Sequence, residues 1–138
     1  MTDSDDDYPY AARTEGFVVR VRPVFLDDQS DEADGRYLWG YEIRVENHGD
    51  VTAQLRSRHW IITDGNGMVQ EVTGDGVVGE QPTLEPGEAF TYGSGCPLNT
   101  PTGFMAGRYQ MVAEDGRAFE IDIPAFSLDS PYARRTLN

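Results

Sequence analysis

The residues between positions 74 and 79 have the spacing of a phosphate-binding segment. Gly74, Gly76 and Gly79 match the pattern G-x-G-x-x-G, with which dinucleotide-binding enzymes hold a pyrophosphate at a helix N-terminus. Pro82 and Pro86 follow within seven residues of the last glycine, and a proline inside a helix costs about 3 kcal/mol. We therefore predict no nucleotide-binding helix here. Two alternatives remain: a loop whose glycines take positive φ, or a loop whose backbone N–H groups hold an anion.

A second set of side chains that could bind an anion lies at positions 56–60, in the segment RSRHW. Its two guanidiniums and its imidazole could hold a phosphate or the carboxylates of a partner peptide. In the alternative that we favour, the arginines neutralise surplus acidic residues and Trp60 fills the core. The candidate site residues are Gly74, Gly76, Gly79 and Arg58 for an anion or small ligand, and Arg56 and His59 for a partner protein.

The chain has few residues of the types used in metal binding or covalent catalysis. His48, His59 and Cys96 are the only histidines and cysteine, and their spacing fits no zinc-ligand pattern. Cys96 lies in the segment SGCPL, where a small buried residue packed against a sheet is the ordinary interpretation. The carboxylates are too scattered for acid and base roles to be assigned. We expect no metal site, no cofactor and no catalytic residue, and predict that the protein is not an enzyme.

The composition limits the domain count and the partners. A chain of 138 residues suits one domain, and 24 acidic residues against 11 basic ones give a formal net charge of −13. All the basic residues are arginines, which excludes a lysine Schiff base and the lysine of a P-loop. Binding to nucleic acid through a basic surface is not expected of so acidic a chain.

The cysteine count and the short apolar runs argue against disulfide-rich, secreted and membrane-spanning proteins. One cysteine allows no internal disulfide. The N-terminal segment MTDSDDDYPY has neither the basic start nor the apolar stretch of a signal peptide. No apolar run approaches the roughly 20 residues that a membrane-spanning helix needs. We therefore expect a soluble, cytoplasmic protein without a membrane span.

Alternating hydrophobic residues predict the strands that must position these side chains. Large apolar or aromatic residues occupy every second position in 17–21 and 37–45, as in strands with one buried face. The segments DGNG at 64–67 and EDGR at 114–117 predict hairpin turns. A further strand begins near Phe90 and is expected to fade into the segment GSGCPLNTPTG, and no clear period follows Pro124.

In the segment 51–64, strict strand alternation does not place all the apolar residues on one face, a conflict of parity. If Trp60 and Ile62 point into the core, Arg58 and Arg56 do so as well, while Leu55 points out. Either a β-bulge resets the buried face, or an arginine is buried with a partner.

The strand pattern predicts an all-β fold, an immunoglobulin- or fibronectin III-like sandwich of two antiparallel sheets with about seven or eight strands. Turn signals recur between short strands, and no window predicts an amphipathic helix. We expect a mobile acidic tail at residues 1–13, a sandwich domain at 14–128 and a C-terminal tail at 129–138.

Four segments, in order, resemble the ApaG family: SRHWIITD at 57–64, GVVGEQPTLEPGE at 76–88, YGSGCPL at 92–98 and GRYQMV at 107–112. The resemblance covers roughly residues 15–128. It implies a fibronectin III- or immunoglobulin-like sandwich and a genetic link to cobalt and magnesium tolerance. It also implies the protein-binding role expected of similar domains in eukaryotic F-box and polymerase-interacting proteins. The family's pyrophosphate motif matches Gly74, Gly76 and Gly79.

These observations favour a non-catalytic protein-binding module whose partner is another protein. The alternative is a sensor that binds a phosphate or nucleotide, that is, a phosphate-bearing small molecule, at Gly74–Gly79 with the help of Arg58.

Overall fold

The chain folds into two layers of β-strands. The structure is a computed structural model that describes residues 7–136, with side chains to residue 133. Short 3-10 segments occur at Asp27–Gln29, Glu32–Asp34 and Pro131–Thr136. The nine strands within the described residues are β1 (Tyr10–Thr14), β2 (Phe17–Phe25), β3 (Tyr37–Asn47), β4 (Ala53–Asp64), β5 (Val69–Asp75), β6 (Thr83–Leu84), β7 (Ala89–Leu98), β8 (Gly103–Ala113) and β9 (Ala118–Leu128).

All strand pairs are antiparallel and form two sheets. Sheet 1 has the order β1-β2-β3-β7, and sheet 2 has the order β5-β4-β8-β9, with the two-residue β6 beside β4. On one side of the sandwich β9 lies against β1 and β2, and the Asp122 amide donates to Thr14 Oγ1 at 3.1 Å. On the other side β7 and β5 end their sheets. The predicted all-β sandwich is confirmed, and the likeness to immunoglobulin or fibronectin III domains stays a prediction.

The core lies between the sheets and contains the alternate residues that the sequence predicts. The predicted inward residues of β2 are at most 3% exposed: Phe17, Val19 and Val21. The same holds for the long strand β3, whose predicted inward residues are at most 8% exposed: Tyr37, Trp39, Tyr41, Ile43 and Val45. The ring centroids of Tyr41 and Trp60 are 5.5 Å apart, so this contact joins sheet 1 to sheet 2.

A β-bulge resolves the conflict of parity in β4. The register between β4 and β8 shifts between Leu55 and Ser57, which leaves Arg56 as the extra residue. Leu55 and Trp60 are both buried as a result. Arg58 faces the space between the sheets but is only half-buried, so the first of the two alternatives, a β-bulge, applies to this strand.

Three predicted boundaries were wrong. Residues 10–13, assigned to the N-terminal tail, form most of β1 because they pair with β2, and Tyr10 packs on Phe126 at 6.0 Å between ring centroids. Strand β7 does not fade but pairs with β3 as far as Leu98. Strand β9 continues past Pro124 to Leu128, because a register shift opposite β8 makes a bulge in which a proline loses no ladder bond.

The predicted tails are only partly described. Residues 1–6 and 137–138 lie outside the described residues, so the predicted mobility stays a prediction. In the C-terminal 3-10 segment Tyr132 packs against Phe25 and Tyr37, with ring centroids 6.1 Å and 6.0 Å away. This contact fixes the chain after β9 to sheet 1. Within residues 7–136 no helix is long and apolar enough to cross a membrane.

An ion cluster centred on Glu46 lies on the outer face of sheet 1. The carboxylate of this 8% exposed residue accepts from Arg20 Nε at 3.0 Å and from Arg44 Nε at 2.8 Å, and it lies 2.7 Å from His48 Nε2. Burial alone would raise the pKa of the Glu46 carboxyl, but these three hydrogen bonds outweigh it and lower the pKa from 4.5 to about 2.

We expect the Glu46 carboxylate to stabilise the fold above pH 4.5 and to lose this effect as the pH falls towards 2. In that window the unfolded chain binds the proton more readily than the folded chain, so stability falls with the pH. Glu46→Gln should cost about 2 kcal/mol at neutral pH and should flatten the acid limb of the stability curve. Urea denaturation at several pH values measures both effects. If stability fell equally with acid in the wild type and in Glu46→Gln, the lowered pKa assigned to Glu46 would be refuted.

Candidate functional site

The glycine segment that was predicted to bind an anion folds as a loop with no helix behind it. Gly74 lies in β5, opposite Arg58 of β4. Gly76 has a φ of 62°, and Gly79, in the tight turn Val77–Glu80, has a φ of 83°. L-residues rarely adopt these angles, whereas glycine adopts them readily. Strand β6 follows the turn, so the segment has the glycines of a dinucleotide site without its architecture.

Backbone N–H groups of this loop donate to carbonyls of the protein itself. The Gly76 amide donates to Arg56 O at 2.8 Å, and Val77 and Glu80 exchange two amide–carbonyl bonds of 2.8 Å each. A backbone nest holds an anion through N–H groups that converge on it. Three N–H groups of the loop are already paired, and an anion would have to displace those bonds.

The Arg58 side chain lies over Gly74, in the space between the sheets. Its Nη1 donates to Gly76 O at 2.8 Å and to Asp75 O at 3.1 Å. A Cβ atom at position 74 would lie 2.8 Å from Nη2, so the missing side chain makes room for the guanidinium. The structure therefore brings Arg58, Gly74 and Gly76 together. Gly79 stands apart at the turn, where an added Cβ would meet nothing within 4 Å.

A cleft of about 280 Å³ opens beside Arg58, between the free edges of the two sheets. Among the described residues that line this cleft, Arg58 is the only charged one. Pockets for drug-sized ligands are about 300–1,000 Å³, so this cleft is at the small end of that range and has room for one or two side chains. The walls include Tyr41, Trp60, Ile62, Gln70, Val72 and Ser94.

The Cys96 thiol in the wall of the cleft and two tyrosine hydroxyls behind it are neutral at physiological pH. Tyr92 OH and Tyr109 OH are hydrogen-bonded at 2.5 Å, and burial raises the pKa of both phenols. Burial also raises the pKa of the Cys96 thiol to about 11. Because the thiolate is the reactive form of cysteine, this environment disfavours nucleophilic chemistry at Cys96.

We expect Tyr109→Phe to destabilise the protein by about 2 kcal/mol, because it leaves the buried Tyr92 hydroxyl without its partner. The double variant, with phenylalanine also at position 92, removes the orphaned hydroxyl and should recover part of that loss. Urea denaturation of both single variants and the double variant measures the coupling. Strictly additive losses would show that the two hydroxyls do not depend on each other.

Arg56 and His59, predicted to bind a partner protein, lie outside the cleft. Arg56 is exposed at the bulge, and its Nε donates to Gln54 Oε1 at 2.5 Å. His59 lies on the outer face of sheet 2, where its Nε2 is 2.9 Å from Glu71 Oε1. Neither side chain shares the cleft with Arg58, and their role in partner binding stays a prediction.

The outer edge of β7 carries backbone groups that no other strand of the described residues uses. At the start of the β3–β7 ladder the Asn47 amide donates to Glu88 O at 3.0 Å. Because successive residues of an antiparallel strand face opposite neighbours, the even-numbered residues of β7 bond to β3. The N–H and C=O groups of Thr91, Gly93 and Gly95 therefore point away from sheet 1.

Strand β7 also lacks most features that usually protect a sheet edge. Its ten residues, AFTYGSGCPL, include no charged side chain, although 25% of the chain is charged. Gly93–Gly95 is exposed, whereas the facing edge strand β5 carries Glu71 and Asp75. Natural proteins protect free edges with charges, bulges or prolines, and in β7 only Pro97 does so, close to the end. The uncharged run is visible in the sequence, but only the strand pairing shows that it forms an edge.

The histidines and the cysteine lie in three separate places. His48 contacts Glu46 on the outer face of sheet 1, His59 contacts Glu71 on the outer face of sheet 2, and Cys96 is buried. No three His, Cys, Asp or Glu side chains converge within residues 7–133 in a way that could hold a metal ion.

Comparisons with known proteins agree with one another. Residues 27–113 match the family model described as the ApaG domain. Protein ApaG of Brucella anthropi is 60% identical over 129 residues, which is 94% of this chain and 99% of that protein, and Protein ApaG of Brucella canis is 58% identical over the same length. The crystal structure of a Bordetella pertussis protein assigned as ApaA superposes with a TM-score of 0.81 at 51% identity, covering 83% of this chain and 94% of that one.

Proposed function

Because the chain belongs to the ApaG family, we propose that it is a non-catalytic protein-binding module that adds an extended partner segment to β7. The free, uncharged edge of β7 carries this proposal, since Thr91, Gly93 and Gly95 face away from sheet 1. Strand addition gains affinity from such backbone groups and specificity from pockets for alternate side chains. The cleft beside Arg58 lies where those side chains would enter.

The partner in this proposal is a different protein rather than a second copy of the chain. Two copies would each bring a formal charge of −13, and this mutual repulsion opposes their pairing. A neutral or basic segment meets no such repulsion along β7. The proposed addition leaves β5 free, because its charged residues Glu71 and Asp75 protect that edge.

A sensor for a phosphate-bearing small molecule is the second candidate function. It is favoured by the contact of Arg58 with Gly74 and Gly76. The paired amides of the loop favour the protein-binding module instead.

For the association with cobalt and magnesium tolerance, which the family resemblance implies, we propose an indirect origin through the bound partner. The positions of His48, His59 and Cys96 support this proposal, since each lies in a different part of the fold.

Selection of displayed random decapeptides on the immobilised protein, followed by amide NMR with the recovered peptides, tests the module. We expect the largest shifts at Thr91, Gly93 and Gly95. A library without binders, or shifts that are largest on Gly74–Gly79, would argue against it. Sedimentation equilibrium tests for a second copy as the occupant: we expect a monomer, and a dimer that dissociates on Gly93→Pro would overturn the choice of partner.

A further inference from the structure

We infer that the segment bound at β7 presents one carboxylate side chain to Arg58 in the cleft, an inference that rests on the proposed function. Arg58 would then be the residue that determines which segments bind. Nothing in the backbone pairing along β7 selects a sequence, because every extended segment offers the same N–H and C=O groups. Selection must come from the side chains that enter the cleft.

Among the described residues, Arg58 differs from most arginines in having no acidic partner. Nη1 donates to two backbone carbonyls, and no hydrogen bond within the described residues uses Nε or Nη2. No carboxylate of the described residues lies within 4.0 Å of this guanidinium. Within the described residues, the arginines that contact a carboxylate are Arg20, Arg22, Arg36, Arg44, Arg108 and Arg117. In a chain with 24 acidic residues, an arginine that faces a cleft and contacts no carboxylate of the described residues is available to a carboxylate from outside.

The geometry of strand addition directs a partner side chain towards Arg58. Alternate side chains of an added strand point to the same face as those of the strand beside it. Those on the inner face join Tyr92, Ser94 and Cys96 of β7 and enter the cleft. There the apolar side chains of Trp60 and Val72 form part of the wall, and a charged hydrogen bond beside apolar groups is stronger than one surrounded by water.

The ligand chemistry is a carboxylate rather than a phosphorylated side chain. Protein modules that recognise phosphorylated segments use clusters of arginines, whereas Arg58 is the one cation among the described residues that line the cleft. The chain's formal charge of −13 also opposes a uniformly acidic segment. The segment therefore carries a single aspartate or glutamate within an otherwise neutral or basic stretch.

A biased peptide selection tests this inference. The displayed decapeptides alternate threonine and valine, end in lysine and carry Glu, Gln, Lys or Leu in equal proportion at a central inward position. They are selected on the wild-type protein and on four variants: Arg58→Gln, Gly74→Ala, Gly93→Pro and Thr73→Pro. Gly74→Ala keeps Arg58 but places a Cβ atom 2.8 Å from its present Nη2 position, so the guanidinium must move. Thermal denaturation shows which variants are folded.

On the wild-type protein we expect Glu to be enriched at least tenfold over Gln, and we expect this ratio to approach one with Arg58→Gln and to fall with Gly74→Ala. Total recovery measures strand addition separately: it should drop on Gly93→Pro and persist on Thr73→Pro. If Gly93→Pro abolishes the recovery of peptides but Glu is not enriched on the wild type, the inference about Arg58 is overturned and the proposed protein-binding function stands. Recovery that is absent, or indifferent to Gly93→Pro, would overturn both. If Arg58→Gln fails to fold, the Glu-to-Gln ratios measured on the wild type and on Gly74→Ala still show whether Arg58 selects a carboxylate.

Discussion

Gly76→Ala should destabilise the protein by about 3 kcal/mol, whereas Gly79→Ala should cost only about 1 kcal/mol. Gly76 combines a φ of 62° with a position at which a Cβ atom would lie 2.2 Å from Glu80 O. Opening the loop to relieve this clash would expose Val77, which is 1% exposed and part of the core. Gly79 has a φ of 83° but open space around it, so alanine there meets only backbone strain.

The matched pair of alanine variants separates two roles of the glycine motif. If the glycines shape a loop that anchors Val77, the two losses of stability differ about threefold. Phosphate then leaves the urea midpoints of the wild type and of both variants unchanged. If the glycines hold an anion, phosphate should stabilise the wild type and each variant should weaken that effect. Urea denaturation with and without inorganic phosphate measures all of these quantities. Equal losses, together with a phosphate-dependent midpoint, would refute the structural role.

Gly93→Pro should weaken the binding of library-selected peptides at least tenfold, while the fold loses only about 1 kcal/mol. A proline at this position removes an outward N–H group and places its ring where the partner strand must approach. The same N–H group makes no bond within the described residues, so the fold does not depend on it. Peptide titrations followed by fluorescence polarisation measure the dissociation constants, and urea denaturation confirms folding.

Thr73→Pro is the matched control for this prediction. Thr73 is exposed on β5, the edge strand that faces β7 across the cleft, and its N–H group also points away from its sheet. We expect peptide affinities within twofold of the wild type. If Thr73→Pro weakened binding and Gly93→Pro did not, the partner strand would have to be reassigned from β7 to β5.

The sequence predicted the fold where the signal is local. Alternation placed Trp39 and Ile43 in the core, and the parity conflict in β4 led to the bulge at Arg56. Both signals come from neighbouring residues, whose side-chain directions follow from strand geometry. The ends of β7 and β9 were missed because glycines and prolines normally end strands. In this fold they lie at an edge and at a bulge, where the ladder tolerates them.

The candidate site was less predictable, because it depends on residues far apart in the chain. The motif glycines drew attention to an anion, yet Gly74 makes room for Arg58, which only the pairing of β4 with β5 reveals. Likewise, no local pattern shows that Gly93 and Gly95 face away from a neighbouring strand. Sheet order decides which strand is an edge, and sheet order is set by the packing of the whole domain.

Amide hydrogen exchange at Gly93 and Gly95 tests the central claim most directly. In the free protein we predict rapid exchange at both amides, and at least tenfold slower exchange once a selected peptide saturates the protein, with no change at Gly74. The account would be contradicted if both amides were already protected in the free protein, or if a tightly bound peptide left their exchange unchanged.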